Sequence, residues 1–208
     1  AALGEHRHGA GRGTKDMVFL TVSTGIGGGI VIGGNLYQGA SGAAGEIGHM
    51  VMIVGGPRCG CGNSGCLEAL ASGTAIARDA IERIALGTST SITKFAGEGK
   101  PVTAEAVAAA AEQGDPLACE IVSRASNYLG LGLVNVVNIF NPEMVVIGGG
   151  VARMGERLLG PARLVVQERA FKLSSDAVKI VQGELGADAG VVGAAVYAYE
   201  ALATGKAW

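Results

Sequence analysis

Residues 17–32 read Met-Val-Phe-Leu-Thr-Val-Ser-Thr-Gly-Ile-Gly-Gly-Gly-Ile-Val-Ile. Met17 to Ser23 is an apolar, β-branched run and Ile30 to Ile32 a second one. Two strands are therefore expected on either side of Gly25-Ile26-Gly27-Gly28-Gly29, as a glycine-tipped hairpin. The wider segment 17–45 carries no Asp, Glu, Lys or Arg, and by length alone it would allow a membrane span. Its glycines exclude that, because Gly25, Gly27, Gly28, Gly29, Gly33 and Gly34 would give a helix of poor propensity, and Asn35 and Gln38 add uncompensated polarity.

Outward from this hairpin, Ala1-Ala2-Leu3-Gly4-Glu5-His6 reads like the inside of a helix whose start is absent, so a fragment is expected. A third strand is expected near Met50 to Val54, before an irregular Gly-Pro-Cys segment from Gly55 to Cys66. Ser72 is placed to cap a helix through Ile84, and Thr103 another through Val107 and Ala110. Asp115-Pro116 starts a longer core helix that ends by Asn141-Pro142. Met144 to Ile147 reads as a buried strand, Val151 to Arg169 as a helix, Val178 to Val181 as a strand and Ala187 to Ala203 as a last helix. Hairpins first and crossovers later make a mixed sheet covered by helices, in the α/β class.

The chain has 208 residues, 49% hydrophobic and 16% charged, enough apolar content for a core and too much for a disordered chain. A formal net charge of −2 without clustered Lys and Arg gives no electrostatic footprint for nucleic acid. Few aromatic residues exclude stacking platforms for bases or sugars. No basic region precedes an apolar run at the N-terminus, which leaves the cytoplasm as the expected location.

Cys59-x-Cys61-x4-Cys66, with His49 ten residues ahead, supplies three thiolates and an imidazole, the stoichiometry of a closed tetrahedral zinc site. A disulfide would leave one of the three cysteines over and would oppose a reducing compartment. Cys119, alone after Leu117 and Ala118, reads as a core residue, and His6 and His8 as surface residues. The Ser23-Thr24-Gly25-Ile26-Gly27-Gly28-Gly29 tip exposes backbone N–H groups that can cradle phosphate oxygens, although a glycine turn can also be only a turn. Gly148-Gly149-Gly150, after the Met144–Ile147 strand, admits two readings: room for a nucleotide at a helix N-terminus, or tight packing of the next helix. Glu46 and Glu68 flank the cysteine segment, where they could accept hydrogen bonds from a polyol or lie solvated.

Taken together, Ser23 to Gly29, Gly45-Glu46-Ile47-Gly48-His49 and Cys59-Gly-Cys-Gly-Asn-Ser-Gly-Cys-Leu-Glu68 resemble the signature of the ROK family of sugar kinases and repressors. Asn141-Pro142-Glu143, Val145 to Gly150 and Ala189 to Ala195 extend the resemblance over nearly the whole chain. It implies an actin-like ATPase fold of two RNase H-like lobes, of which this chain would be the C-terminal lobe. The expected parts are the end of an interrupted helix and a loop (1–16), glycine-tipped strands (17–54), a zinc loop (55–68), a helical insert (69–143) and a β-α-β-α segment (144–208).

By the same resemblance, Thr24, Gly25, Ile26, Gly27, Gly28 and Gly29 would hold the phosphates of MgATP, and Gly148, Gly149 and Gly150 would lie near the adenosine. Glu46, His49 and Glu68 would bind sugar hydroxyls, and His49, Cys59, Cys61 and Cys66 a structural zinc ion that fixes the His49 ring. The family's catalytic base is an Asp in a Glu-Asn-Asp-Ala-Asn segment, expected upstream of Ala1. The first-lobe phosphate hairpin is expected upstream as well, so no catalytic residue is assigned here and the chain alone is expected to be inactive. The parent would be a cytoplasmic glucokinase-like enzyme, a homo-oligomer (dimer or tetramer) that binds hexose and ATP, with neither membrane nor nucleic acid bound by this lobe. The alternatives are a kinase for N-acetylhexosamine or mannose, the sugar-sensing lobe of a repressor, and a noncatalytic zinc-bearing interaction module. The intact glycine hairpin favours a kinase, since a repressor has no γ-phosphate to hold.

Overall fold

The computed structural model describes residues 1–204. A short helix, α1 (Ala2–His8), leads into β1 (Met17–Val22), β2 (Ile26–Ile32) and β3 (Asn35–Tyr37). Helices α2 (Leu67–Ala71), α3 (Gly73–Ala85), α4 (Ile92–Ala96), α5 (Ala104–Glu112) and α6 (Pro116–Phe140) follow. The chain then returns through β4 (Met144–Gly148), α7 (Glu156–Arg169), α8 (Lys172–Ala177), β5 (Lys179–Gln182) and α9 (Ala189–Thr204). The predicted last segment reaches 208, and 205–208 lie outside the described residues.

One five-stranded sheet runs in the order β3-β2-β1-β4-β5. β2 pairs antiparallel with β1 and β3, while β4 lies parallel to β1 and β5. Side chains alternate along each strand. Val18, Leu20 and Val22 of β1 join Ile26, Ile30, Val145, Ile147 and Ile180 in the main core with α2 to α7. Met17 and Phe19 point the other way and meet Ala2 of α1, Val31 and Val146. The sheet is therefore buried on both faces, as parallel strands require.

The helix starts follow their capping residues. Ser72 Oγ accepts the Ala75 amide at 3.2 Å, Thr103 Oγ1 the Ala106 amide at 3.3 Å and Asp115 Oδ1 the Ala118 amide at 3.0 Å. Asn141, at φ 44°, turns the chain out of α6 and toward β4.

Four expectations need correction. Ile26 to Gly29 do not form the hairpin tip; they are strand, with Ile26, Gly27, Gly28 and Gly29 opposite Val22, Thr21, Leu20 and Phe19. The third strand is 35–37, joined to β2 through Gly33 and Gly34, both at positive φ, as in a two-residue hairpin turn. Residues 50–54 make no strand, because the Met50 carbonyl and the Met52 amide bond to Leu67 and Gly65 of the cysteine segment. Residues 151–169 are two pieces, a 3-10 turn over Val151–Met154 and then α7, separated at Gly155 with φ 57°. His6 is buried, with Nε2 2.7 Å from the Thr14 carbonyl, whereas His8 is exposed as expected.

Candidate functional site

The segment 45–49 lies flat on β2 because its glycines permit it. A Cβ on Gly28 would come within 2.5 Å of the Gly45 carbonyl oxygen, and one on Gly48 would overlap the Ile26 carbonyl. Gly45 also needs its φ of 97°. Ile47 is pressed into the core between them, so Glu46 and His49 are left on the outer side. There the His49 Nε2 lies 3.7 Å from Glu46 Oε2, and Nδ1 lies 3.7 Å from Cys59 Sγ.

The cysteine segment folds by short backbone bridges. Met52 donates to Gly65, Gly65 to Pro57, Cys59 to Asn63 and Gly62 to Cys59. These bonds bring one ligand atom each from His49, Cys59, Cys61 and Cys66 within 4.8 Å of one another. Cys61 and Cys66 sulfurs are 3.7 Å apart, which matches the roughly 3.8 Å edge of a tetrahedron with metal–sulfur bonds of about 2.3 Å. The donor set thus fits a tetrahedral thiophilic ion.

Burial pushes the Cys66 thiol up to about 12, helped by its two sulfur neighbours, and burial raises Cys59 as well. Cys61 moves down, chiefly because the Asn63 amide donates to it. Without a cation the two buried sulfurs hold their protons at neutral pH, and a bound metal would replace them.

The tip of the hairpin is Ser23-Thr24-Gly25, closed by a 2.9 Å bond from the Ser23 amide to the Gly25 carbonyl. The N-terminus of α3 holds it. The Gly73 amide donates to the Ser23 carbonyl at 2.7 Å, and the Thr74 hydroxyl donates to the Thr24 carbonyl at 2.7 Å. Glu68, on α2, accepts the Ile26 amide at 2.8 Å.

Thr24 and Gly150, far apart in sequence, line one cavity of about 290 Å³. Thr74, Val102, Glu105 and Val151 complete much of its wall. Sequence reading did not assign Thr74 or the start of α5 to the site, since their meeting at this cavity follows only from the packing of α3 and α5. Gly27, Gly28 and Gly29 do not line this cavity; they line another, of about 480 Å³, with Phe19, Thr21 and α9 residues. The glycines at 148–150 differ in their surroundings. Gly149, at φ 92°, lies so close to the Val22 carbonyl that no Cβ fits, whereas Gly150 opens onto the cavity with Thr24.

The sequence matches the ROK family over residues 1–201, and the chain belongs to that family. The glucokinase of Halalkalibacterium halodurans is 42% identical over 194 residues, covering 93% of this chain and 59% of the relative. The xylose repressor of Caldicellulosiruptor bescii is 35% identical over 170 residues, covering 82% of this chain and 42% of the relative. A ROK family glucokinase from Streptomyces griseus, solved in complex with glucose and AMPPNP, superposes with a TM-score of 0.85 at 36% identity, covering 94% of this chain and 64% of that one. The mixed sheet with its flanking helices is that of the ROK kinase structures, an actin-like ATPase fold. The chain spans 59% and 61% of the length of two curated glucokinases it matches. No helix among the described residues is long and apolar enough to cross a membrane.

Proposed function

We propose that this chain is the C-terminal lobe of a cytoplasmic, ATP-dependent hexose kinase of the glucokinase type. The observation that carries the proposal is the meeting of Thr24 and Gly150 at one cavity, on the same hairpin whose following strand supports Glu46 and His49. In this reading Thr24 and Gly25 face the phosphates of MgATP, and Gly150 lies beside the adenosine. Ile26 to Gly29 act by letting the sugar-binding segment stack closely. The Glu46 and Glu68 carboxylates accept hydrogen bonds from sugar hydroxyls, and the His49 ring meets a hydroxyl through the nitrogen that faces Glu46.

A zinc ion held by His49, Cys59, Cys61 and Cys66 supplies no chemistry to the reaction; it fixes the loop and the imidazole ring. The general base, an Asp, belongs to the part of the protein upstream of this lobe. It removes the proton of the sugar 6-hydroxyl as that oxygen attacks the γ-phosphate.

The xylose repressor similarity favours a second reading, a sugar-sensing lobe of a transcriptional regulator. An ATP-dependent phosphorylation assay separates the two. A protein extended upstream by the missing lobe is expected to phosphorylate glucose, with N-acetylmannosamine, N-acetylglucosamine and mannose as comparison substrates. The 208 residues alone are expected to show no turnover, because loss of a general base typically costs about 10²–10⁴-fold and half of the aligning cleft is lost with it. Equal turnover by the two proteins refutes the placement of the base, and sugar binding without any turnover in the longer protein favours the regulator.

A further inference from the structure

Glu68 joins two parts of the site that the sequence keeps apart. Its Oε2 accepts the Ile26 amide at 2.8 Å, at the start of β2 directly after the Ser23–Gly25 turn. Its Oε1 lies 3.5 Å from Sγ of Cys59, one of the four candidate metal ligands. A carboxylate only accepts, so rotating this side chain away from β2 would leave the Ile26 amide without its partner.

Gly25 gives independent evidence that the contact is built in. Its φ is not in the left-handed region, so its backbone suits any residue. A Cβ at position 25 would nevertheless overlap the Glu68 carboxylate. Glycine there leaves room for the Glu68 carboxylate in its observed position, and a larger residue would push it aside. The route through the chain is also short and stiff. Cys66 precedes α2, α2 carries Glu68 and ends at Ala71, and Ser72 caps α3, whose Gly73 and Thr74 hold the Ser23 and Thr24 carbonyls. One stretch, 66–74, thus contacts the metal loop at its start and grips the turn from both sides.

We propose that Glu68, besides the sugar contact given it above, is a positioning residue that couples the cysteine loop to the hairpin turn, so that order in the metal loop sets the backbone geometry offered to phosphate. The phosphate half rests on the kinase reading above; the coupling itself does not.

Amide hydrogen exchange at Ile26 tests the coupling without sugar or nucleotide. In Glu68→Ala, exchange at Ile26 is expected to rise roughly ten- to a hundredfold, as for loss of a hydrogen bond to a charged group, with zinc content unchanged. Glu68→Gln keeps an acceptor oxygen and should restore most of the protection. Gly25→Ala, which displaces the carboxylate, should reproduce Glu68→Ala and carries the test if that variant does not fold. Removing zinc with a chelator should expose Ile26 in the wild type and add little in Glu68→Ala.

Unchanged protection in Glu68→Ala, or an equally large chelator effect in both proteins, overturns the coupling. In the longer protein, AMPPNP affinity should fall about tenfold in Glu68→Ala and recover in Glu68→Gln, by the same hydrogen-bond magnitude. Unchanged AMPPNP affinity in a variant whose exchange has risen overturns the phosphate half alone.

Discussion

His49 faces Cys59 with one ring nitrogen and Glu46 with the other, so a single imidazole can meet a metal on one edge and a hydroxyl on the opposite edge. Its orientation then depends on sulfur ligands, of which Cys59 and Cys66 are also buried against Ala69. Cys61 makes the sharpest test, because its side chain is exposed and its replacement disturbs little packing. Any stability lost in Cys61→Ser must come through the metal. We expect about one equivalent of zinc in protein purified without added metal, and loss of that zinc with a lower melting temperature in Cys61→Ser. After chelation the two proteins should melt alike. Folded protein that carries no metal, or a Cys61→Ser variant that melts like the wild type, would sink the zinc assignment. The grouping of His49, Cys59, Cys61 and Cys66 was legible in the sequence because residues of ligand type at short spacing are a local signal. Glu68 was only half legible, since its nearness to Cys66 shows in the chain but its bond to the Ile26 amide spans 42 residues.

Between elements, the decisive contact is the stacking of 45–49 on β2, where backbone touches backbone. Gly48→Ala should destabilise the protein by about 1–3 kcal/mol, the usual cost of overpacking, because its Cβ would meet the Ile26 carbonyl and not a flexible side chain. Gly27→Ala, one position from Ile26, should be neutral or slightly stabilising. Its Cβ would meet only a Thr21 methyl at 3.4 Å, and alanine is less costly than glycine inside a strand. Denaturant melts of both variants check the contrast, and similar stabilities would contradict it. The same geometry explains where sequence reading of the elements failed. A run of glycines beside β-branched residues resembles a turn, and nothing local tells that Gly28 and Gly29 exist to admit the 45–48 segment and Ala2. The capped helices at Ser72, Thr103 and Asp115 were legible because a cap and its helix are neighbours in sequence. Residues 50–54 were not, because their backbone groups bond to the cysteine segment and not to the sheet.

At the scale of the whole molecule, acid stability should carry the signature of Asp115, which is 9% exposed and ties residues 90–91 to the start of α6. Burial by itself would raise its carboxyl. Amides of Ser91 and Ala118, with the Ser91 and Thr90 hydroxyls, outweigh that and hold it at about 2 against an ordinary 3.8. A depressed carboxyl stabilises the fold above the unfolded value and loses that contribution as pH falls through the folded one. Asp115→Ala should therefore cost about 1–2 kcal/mol near neutrality, and the gap should narrow between pH 4 and 2. A gap that does not change with pH would refute the assignment. The α/β class was legible from the order of strands and helices, but the sheet order was not, because β1 finds β4 only after all of α2 to α6. That separation has a consequence during synthesis. β2 emerges at once to pair with one edge of β1, yet the other edge waits for more than a hundred residues, roughly 6–25 s at ribosomal speeds of about 5–20 residues per second. For that interval the nascent chain displays an apolar strand with open hydrogen-bonding groups, the condition in which a chaperone or a neighbouring chain competes with the native partner.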